Sequence, residues 1–201
     1  MKIKKTWKIA VIIPVRMGST RLRNKNILPI KRDPMFIYVA KNLLKSSLKF
    51  NLFISSESEK IKKICEKFKL NFIKRPQKLS KDHVEKHEAI VHAIKFLSIN
   101  HKYNPNIVVS LQANTPEFKS RDFDKAIKFF NTKLHVGKPI KELISVNPDN
   151  IQNGAFRILT NKAVFQKTLS TKVGIFFTNY LDIHSKSDYL KVKKKLENEK
   201  D

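Results

Sequence analysis

Short apolar runs alternate with amphipathic segments along the first 130 residues of the chain. Four short runs predict strands, and the first of them is continuously apolar and rich in β-branched residues, which suits a strand covered on both faces of a parallel sheet. They occupy 9–14, 52–55, 71–73 and 106–111. Apolar residues at helical spacing predict helices at 35–44, from Ser56 or Ser58 to 68, at 84–99, and from Ser120 onward. The repeated strand–helix order predicts an α/β fold with a mostly parallel central sheet.

The remaining residues have a less regular pattern. It predicts strands at 143–146, 154–159 and 173–177, a short helix at 162–168 and a lysine-rich terminal helix at 188–197. No internal repeat or low-complexity linker divides the sequence. Because 201 residues suit one sizeable α/β domain better than two, we predict that residues 1–201 form a single domain.

The chain is strongly basic, with a formal net charge of +25. Lysines are spread along its whole length, whereas three of the seven arginines, Arg16, Arg21 and Arg23, lie in one short segment. Arginine presents a planar fork that suits anions, and lysine a strongly hydrated charge. The arginine cluster is therefore the candidate anion site. Nucleic-acid binding driven by charge is a less favoured alternative, because aromatic residues do not interleave with the basic ones as a stacking surface requires.

Cysteine content and hydropathy restrict the compartment. Cys65 is the only cysteine, which excludes an internal disulfide and a zinc site built from cysteines. A basic stretch precedes the apolar run at 9–14, but Pro14 ends that run early, and no segment approaches the roughly 18 to 20 apolar residues of a membrane span. The sequence therefore predicts a cytoplasmic protein with no membrane-spanning segment.

The segment directly after the first predicted strand carries the candidate chemistry. Residues 16–26, RMGSTRLRNKN, contain four cations, a Gly-Ser turn and two asparagines. In open α/β sheets, ligands bind at the carboxyl ends of strands, where backbone N–H groups and basic side chains can hold phosphate oxygens. The spacing matches neither the Walker loop nor the dinucleotide-binding loop. A solvated basic loop is the alternative, and a phosphate site is favoured.

The stretch PVRMGSTRLRNKN at 14–26 resembles the signature P-A-R-x-G-S-K-x-L-x-N-K-N of the CMP-sialic acid synthetase (acylneuraminate cytidylyltransferase) family. The 3-deoxy-manno-octulosonate cytidylyltransferases are related to that family. Weaker matches follow in the same order: SSES at 55–58, KRP at 74–76, LQANTP at 111–116, NGAF at 153–156 and LDIHSKSD at 181–188. The resemblance implies a three-layer, Rossmann-like nucleotidyltransferase fold of the glycosyltransferase-A type.

The resemblance also implies an activity and a set of site residues. Such enzymes couple CTP to the anomeric hydroxyl of a 3-deoxy-2-keto acid sugar, forming a CMP-sugar and pyrophosphate. By similarity, the catalytic residues are Arg16 and Lys25, the CTP-binding residues are Ser19, Arg21, Asn26 and Arg75, the sugar-binding residues are Gln112 and Asn114, and the metal ligand is Asp182. The implied metal is Mg²⁺ or Mn²⁺, and the implied assembly is a homodimer.

The sequence departs from this family pattern in three places. His184 stands where the family has a second aspartate near the metal, and neutral imidazole is a poor ligand for Mg²⁺. Residues 147–153 bridge a position where the family has tens of additional residues that contribute to the sugar pocket and the dimer contact. Arg21 and Arg23 replace a small residue and a proline.

Two functions therefore remain open from the sequence. One is a cytidylyltransferase for a sialic acid-like sugar, and the other is a non-catalytic nucleotide- or sugar-binding homologue, which His184 and the shortened segment at 147–153 would favour. The charged segment 80–88 has two histidines and three acids, but a solvated helix start is favoured there over a metal site. Asp188 is expected to cap the last helix.

Overall fold

The computed structural model describes residues 7–135, 139–168 and 170–199. Its central sheet has seven strands in the order β5-β4-β1-β6-β8-β7-β9. These strands are β1 (Ile9–Pro14), β4 (Asn51–Ser56), β5 (Asn71–Lys74), β6 (Ile107–Leu111), β7 (Glu142–Val146), β8 (Gln152–Thr160) and β9 (Val173–Phe177). Two short strands, β2 (Pro29–Ile30) and β3 (Asp33–Pro34), form a separate antiparallel hairpin.

The sheet is parallel except at one strand. β1 pairs in parallel with β4 and β6, β4 with β5, and β7 with β9. β8 lies antiparallel between β6 and β7. The predicted α/β fold with a mostly parallel sheet is therefore confirmed.

Helices cover both faces of the sheet. They are α1 (Met35–Leu44), α2 (Glu59–Lys67), α3 (Lys86–His101), α4 (Ser120–His135), α5 (Asn161–Val164) and α6 (Lys186–Asn198). Val11 and Ile13 of β1 pack in the core shared with α1, α2 and α4, whereas Ala10 and Ile12 pack in the core shared with α3 and α5. Burial on both faces explains why the β1 run is apolar without alternation. Within the described ranges, no helix is long and apolar enough to cross a membrane.

A third, smaller core holds α6 against the β2–β3 hairpin. Ile30 and Met35 contact Ile183 and Val192 there, and the Tyr189 hydroxyl donates a 2.7 Å hydrogen bond to the Pro29 carbonyl. This packing brings the chain just before α6 close to the segment that follows β1.

Helix caps agree in part with the sequence. Of the two candidate serines, Ser58 caps α2 by accepting a hydrogen bond from the Ile61 N–H. Asp188 and Ser185 form a reciprocal capping box at the start of α6, so the expected cap is confirmed.

Two local expectations were incomplete. The helix predicted at 162–168 ends at Val164, and Phe165 after it is 43% exposed. The next three residues, Gln166, Lys167 and Thr168, are polar and give the helix no apolar face to bury. Between β1 and α1, where the sequence pattern predicted no element, the chain contains a 3₁₀ helix, Lys25–Ile27, and strand β2. Elements of two or three residues are too short to produce a hydrophobic period.

Candidate active site

The carboxyl ends of β1 and β6 lie where the strand order reverses. From β1 the chain proceeds to β4 and β5 on one side, and then returns to β6 on the other side of β1. Such a switch point leaves a crevice at the strand ends, where ligands bind in open α/β sheets. A cleft of about 310 Å³ lies here, lined by the segments that follow β1, β5 and β6, by the start of α3 and by His184.

The segment after β1 is held by specific contacts. The Val15 N–H donates to the Ser55 carbonyl at 2.9 Å, and the Met17 N–H donates to a carboxylate oxygen of Glu57 at 3.0 Å. Both partners lie at the carboxyl end of β4 or just beyond it. These contacts fix the path of the segment across the strand ends.

The side chain of Asn26 closes this segment on itself. Its Nδ2 atom donates to the Arg16 carbonyl at 2.9 Å, and Asn26 is buried. Asn24, two residues before Asn26, adopts the left-handed conformation with φ 56°, which asparagine tolerates better than most residues. The closed turn brings five predicted residues to the cleft wall: Arg16, Ser19, Arg21, Lys25 and Asn26.

Lys25 links this turn to the far end of the chain. Its Nζ atom donates a 2.9 Å hydrogen bond to the Ile183 carbonyl. Burial, followed by the charge of Arg21, lowers the pKa of Lys25 to about 8, although Asp182 acts in the opposite direction. Burial is the main cause of the lowered pKa, and the nearby charges of Arg21 and Arg16 add to it.

Glu57 and Arg75 form a buried ion pair beneath the turn. Arg75 Nη2 lies 2.9 Å from Glu57 Oε2, and their side chains are 4% and 7% exposed. Ser80 joins them, accepting from Arg75 Nε at 3.0 Å and donating to Glu57 Oε2 at 2.8 Å. Although burial alone would raise it, the hydrogen bonds from Met17, Ser80 and Arg75 hold the pKa of Glu57 below its ordinary value. This cluster ties the ends of β4 and β5 to the turn.

Arg16 pairs with Asp82, which lies in the segment between β5 and α3. Its Nη1 atom lies 2.5 Å from Asp82 Oδ1, in a pair whose side chains are 34% and 54% exposed. An exposed pair of this kind contributes little to stability, so Arg16 can exchange the carboxylate for another anion.

Asp182 adjoins the cleft. Its Oδ1 atom accepts from Thr115 Oγ1 at 2.6 Å, and its Oδ2 atom lies 3.4 Å from Gln112 Nε2 and 4.0 Å from His184 Nε2. Burial raises the pKa of Asp182 despite the hydrogen bond from Thr115. Burial, followed by the charge of Lys25, lowers the pKa of His184.

The Asp182 carboxylate is a donor of the type that magnesium ions bind. A buried carboxylate with a raised pKa is one that a cation would stabilise. Mg²⁺ is commonly bound through one or two carboxylates plus phosphate oxygens and waters. Among the residues that the structure describes, no three histidine, cysteine or acidic side chains cluster as a metal site, and this includes the described segment 80–88.

A glycine allows Gln112 to reach Asp182. Gly154 has φ 64°, and a Cβ atom there would lie 1.7 Å from Gln112 Nε2 and 3.1 Å from Asp182 Oδ2. The Gln112 N–H also donates to the Ala155 carbonyl at 3.0 Å. Only glycine leaves room for the Gln112 amide between β6 and β8.

The structure brings all nine predicted site residues to one place. Eight of them line the cleft: Arg16, Ser19, Arg21, Lys25, Asn26, Arg75, Gln112 and Asn114. The ninth, Asp182, contacts Gln112. Two of these side chains also position their neighbours, since Asn26 holds Arg16 and Asn114 Nδ2 donates to the Ile183 carbonyl at 3.1 Å. What each of the nine residues binds stays a prediction.

Four residues that sequence reasoning did not select also shape the site: Glu57, Lys86, Thr115 and Gly154. Glu57, Thr115 and Gly154 lie inside short motifs noted above. The roles of Glu57 and Thr115 depend on contacts with residues 18 and 67 positions away in sequence, and the role of Gly154 depends on the close approach of another side chain. Lys86 lies in the charged segment 80–88, and only the fold places it at the cleft.

Comparison with known proteins gives a consistent result. Residues 10–171 match the family model described as cytidylyltransferase. The N-acylneuraminate cytidylyltransferase of Escherichia coli O18:K1:H7 (strain RS218 / NMEC) is 34% identical over 125 residues, which is 62% of this chain and 29% of that protein. The 3-deoxy-manno-octulosonate cytidylyltransferase of Chloroherpeton thalassium (strain ATCC 35110 / GB-78) is 24% identical over 158 residues, 77% of this chain and 60% of that protein. The matches thus span less than two thirds of either relative.

A solved structure shares the fold. The structure of CMP:2-keto-3-deoxy-manno-octonic acid synthetase complexed with CTP superposes with a TM-score of 0.77 at 14% identity, covering 94% of this chain and 98% of that one. This confirms the predicted three-layer, Rossmann-like nucleotidyltransferase fold.

Proposed function

Because the chain belongs to the cytidylyltransferase family, we propose that it transfers the cytidylyl group of CTP to the anomeric hydroxyl of a 3-deoxy-2-keto acid sugar. The hydroxyl oxygen attacks the α-phosphorus, the bond from that phosphorus to the bridging oxygen breaks, and pyrophosphate leaves. The hydroxyl proton passes to solvent. The named activities of the relatives and the chemistry of the cleft both support this assignment.

The cationic wall suits the triphosphate. Arg16, Arg21 and Lys25 stand on one turn at the strand ends, and transfer at phosphorus depends mainly on positioning and on neutralising negative charge. In this proposal, Lys25 and Arg16 contact the phosphates, while Ser19, Asn26 and Arg75 position the nucleotide. Arg16 exchanges Asp82 for a phosphate when CTP binds.

The opposite wall suits the acceptor and a metal ion. Gln112 and Asn114 would contact the sugar, and Asp182 would bind Mg²⁺ or Mn²⁺. Such an ion, when bound, neutralises charge on the phosphates. The chain's own contribution is to hold the Asp182 carboxylate in place through Thr115, 2.6 Å away.

A single observation carries the proposal. The turn after β1 and the segment bearing Asp182 are joined by the hydrogen bond from Lys25 Nζ to the Ile183 carbonyl. Residues more than 150 positions apart in sequence therefore face one cleft at the switch point of the sheet.

The test is sugar-dependent release of pyrophosphate. Purified protein is incubated with CTP, Mg²⁺ and either N-acetylneuraminate or 3-deoxy-manno-octulosonate, and pyrophosphate and CMP-sugar are measured. We expect equimolar products with at least one acid, and loss of turnover in Lys25→Met. Lys41→Met, which removes an exposed lysine paired with Asp33, is the matched control and should retain turnover.

A non-catalytic homologue is the second candidate. It is favoured by His184, which lies 4.0 Å from Asp182 where a second carboxylate was expected, and by the short connection from β7 to β8. Binding of CTP by calorimetry without pyrophosphate release from any keto-acid sugar would establish this alternative.

A further inference from the structure

A second cavity adjoins the cleft on the α3 side of the sheet. Its volume is about 90 Å³, enough for several waters or one small charged group. Lys86 and Gln112 line both the cleft and this cavity. The cleft and the cavity therefore meet at these two side chains.

Arg157 of β8 lines this cavity together with Lys86 of α3. Its Nε atom pairs with Glu142 Oε1, and Glu142 is buried. Its Nη1 atom lies 3.4 Å from His87 Nδ1. His87 Nε2 lies 2.9 Å from the Val164 carbonyl, and since a carbonyl only accepts, Nε2 carries the proton and Nδ1 accepts from Arg157. The guanidinium is thus oriented from both sides.

The guanidinium of Arg157 has more N–H donors than its contacts with Glu142 and His87 use. A guanidinium has five N–H donors, and the contacts of Arg157 within the described part of the chain use two of them. An ion pair that served only to join β7 and β8 would need no donors facing a cavity. Ser110 of β6 is the register partner of Arg157 on β8, and its hydroxyl-bearing side chain lines the same cavity.

The acceptor chemistry matches this position. In the cyclic form of a 2-keto acid sugar, the carboxylate is bonded to the anomeric carbon that also bears the attacking hydroxyl. A carboxylate-binding group must therefore lie beside the reaction centre. The cavity shares Gln112 with the cleft, and Gln112 contacts Asp182. The cavity therefore lies beside the proposed reaction centre, where a carboxylate-binding group is required.

We infer that Arg157, held by Glu142 and His87, binds the carboxylate of the acceptor in this second cavity and so selects acid sugars over uncharged ones. This inference rests on the proposed function. Arginine binds carboxylates through parallel charge-assisted hydrogen bonds, and anchoring the carboxylate there directs the neighbouring hydroxyl toward the cleft.

The test compares each acid with its methyl ester, which lacks the charge. Binding to the protein loaded with a non-hydrolysable CTP analogue is measured by ligand-observed NMR, and turnover by pyrophosphate release. The variant Arg157→Met with Glu142→Gln removes both members of the pair, so that no buried charge is left unpaired. Lys41→Met with Asp33→Asn removes an exposed pair and is the matched control. Thermal unfolding confirms that both variants are folded, and Arg157→Lys replaces the double variant if it is not.

We expect the Arg157 variant to bind the acid on the order of tenfold more weakly, with ester and CTP binding unchanged and the control like wild type. If the variant keeps the preference for acid over ester, the inference is wrong while the proposed function stands. If wild type binds acid through Arg157 but releases no pyrophosphate, the inference stands and the proposed function fails. If wild type binds neither acid nor ester, both fail.

Discussion

The Nζ atom of Lys25 donates a hydrogen bond to the carbonyl oxygen of Ile183, 158 residues further along the chain. The same carbonyl accepts from Asn114 Nδ2 at 3.1 Å. Three segments, from after β1, after β6 and before α6, therefore meet at one backbone oxygen. This junction sets the distance between the cationic turn and the Asp182 carboxylate.

CTP binding should weaken as the pH rises through about 8, because Lys25 has a pKa of about 8 in the free protein. Below that pH the side chain is charged and ready to contact phosphate, and above it binding must first take up a proton. Calorimetry from pH 7 to 9.5, in buffers of different ionisation enthalpy, would measure both affinity and proton uptake. Lys25→Met should flatten this part of the profile, whereas Lys41→Met should not. A profile in Lys25→Met that matches wild type would contradict the role of Lys25.

Asp82→Asn should increase CTP affinity by a few-fold. The Asp82 carboxylate, 2.5 Å from Arg16, competes with phosphate for the guanidinium, and an exposed pair of this kind is worth up to about 1 kcal/mol. Asp149→Asn removes an equal charge from an exposed turn and is the control for the change in the protein's net charge. Titration calorimetry at one ionic strength compares them. Weaker binding in Asp82→Asn than in Asp149→Asn would mean that Asp82 supports the ligand rather than opposes it.

Gly154→Ala should lower stability and disturb the acceptor side of the cleft. Alanine at φ 64° costs roughly 1 to 2 kcal/mol, and its Cβ would displace the Gln112 amide, which contacts Asp182. We expect a lower midpoint of thermal unfolding and loss of turnover, with CTP binding kept. Gly18→Ala is the control for stability, since a Cβ there meets nothing within 4 Å. Equal unfolding midpoints for both variants would contradict the left-handed conformation of Gly154, and turnover like wild type in Gly154→Ala would contradict the displacement of Gln112.

Glu57→Gln should destabilise the fold by about 3 kcal/mol, because it leaves Arg75, 4% exposed, without its anion.

The destabilisation caused by Glu57→Gln depends on pH. The pKa of Glu57 is lowered from 4.5 in the folded state, so its stabilisation is present above pH 4.5 and is lost as the pH falls through the lowered value. The variant should therefore show a smaller loss of stability on acidification, measured by urea unfolding at pH 7 and pH 3. Glu59→Gln, which removes an exposed partner of Lys74, should change little. Parallel curves for wild type and Glu57→Gln would contradict this account.

Strand positions and the cationic turn could be predicted because their signals are local. The β1 strand has an apolar run with no competing period, and the residues of the turn from Arg16 to Asn26 are contiguous in sequence. That both faces of β1 are buried follows from the same run. The direction of β8 could not be predicted, because the hydrophobic pattern of a strand is the same whether it pairs parallel or antiparallel to its neighbours.

Contacts between distant residues were not predictable from the sequence. Glu142, Arg157 and His87 belong to three different elements, and nothing in their local sequences pairs them. The left-handed conformation of Gly154 likewise depends on how closely Gln112 approaches it. The segment 80–88 was expected to be a solvated helix start, yet Asp82 and Lys86 of that segment line the cleft.

The most direct test of the shared cleft is a crystal structure with CTP and Mn²⁺, in which anomalous scattering locates the metal. We predict the triphosphate against Arg16, Ser19 and Lys25, with the manganese peak at coordination distance from an Asp182 carboxylate oxygen and with Arg16 released from Asp82. CTP bound elsewhere, or a metal that contacts the phosphates but lies remote from Asp182, would contradict the account.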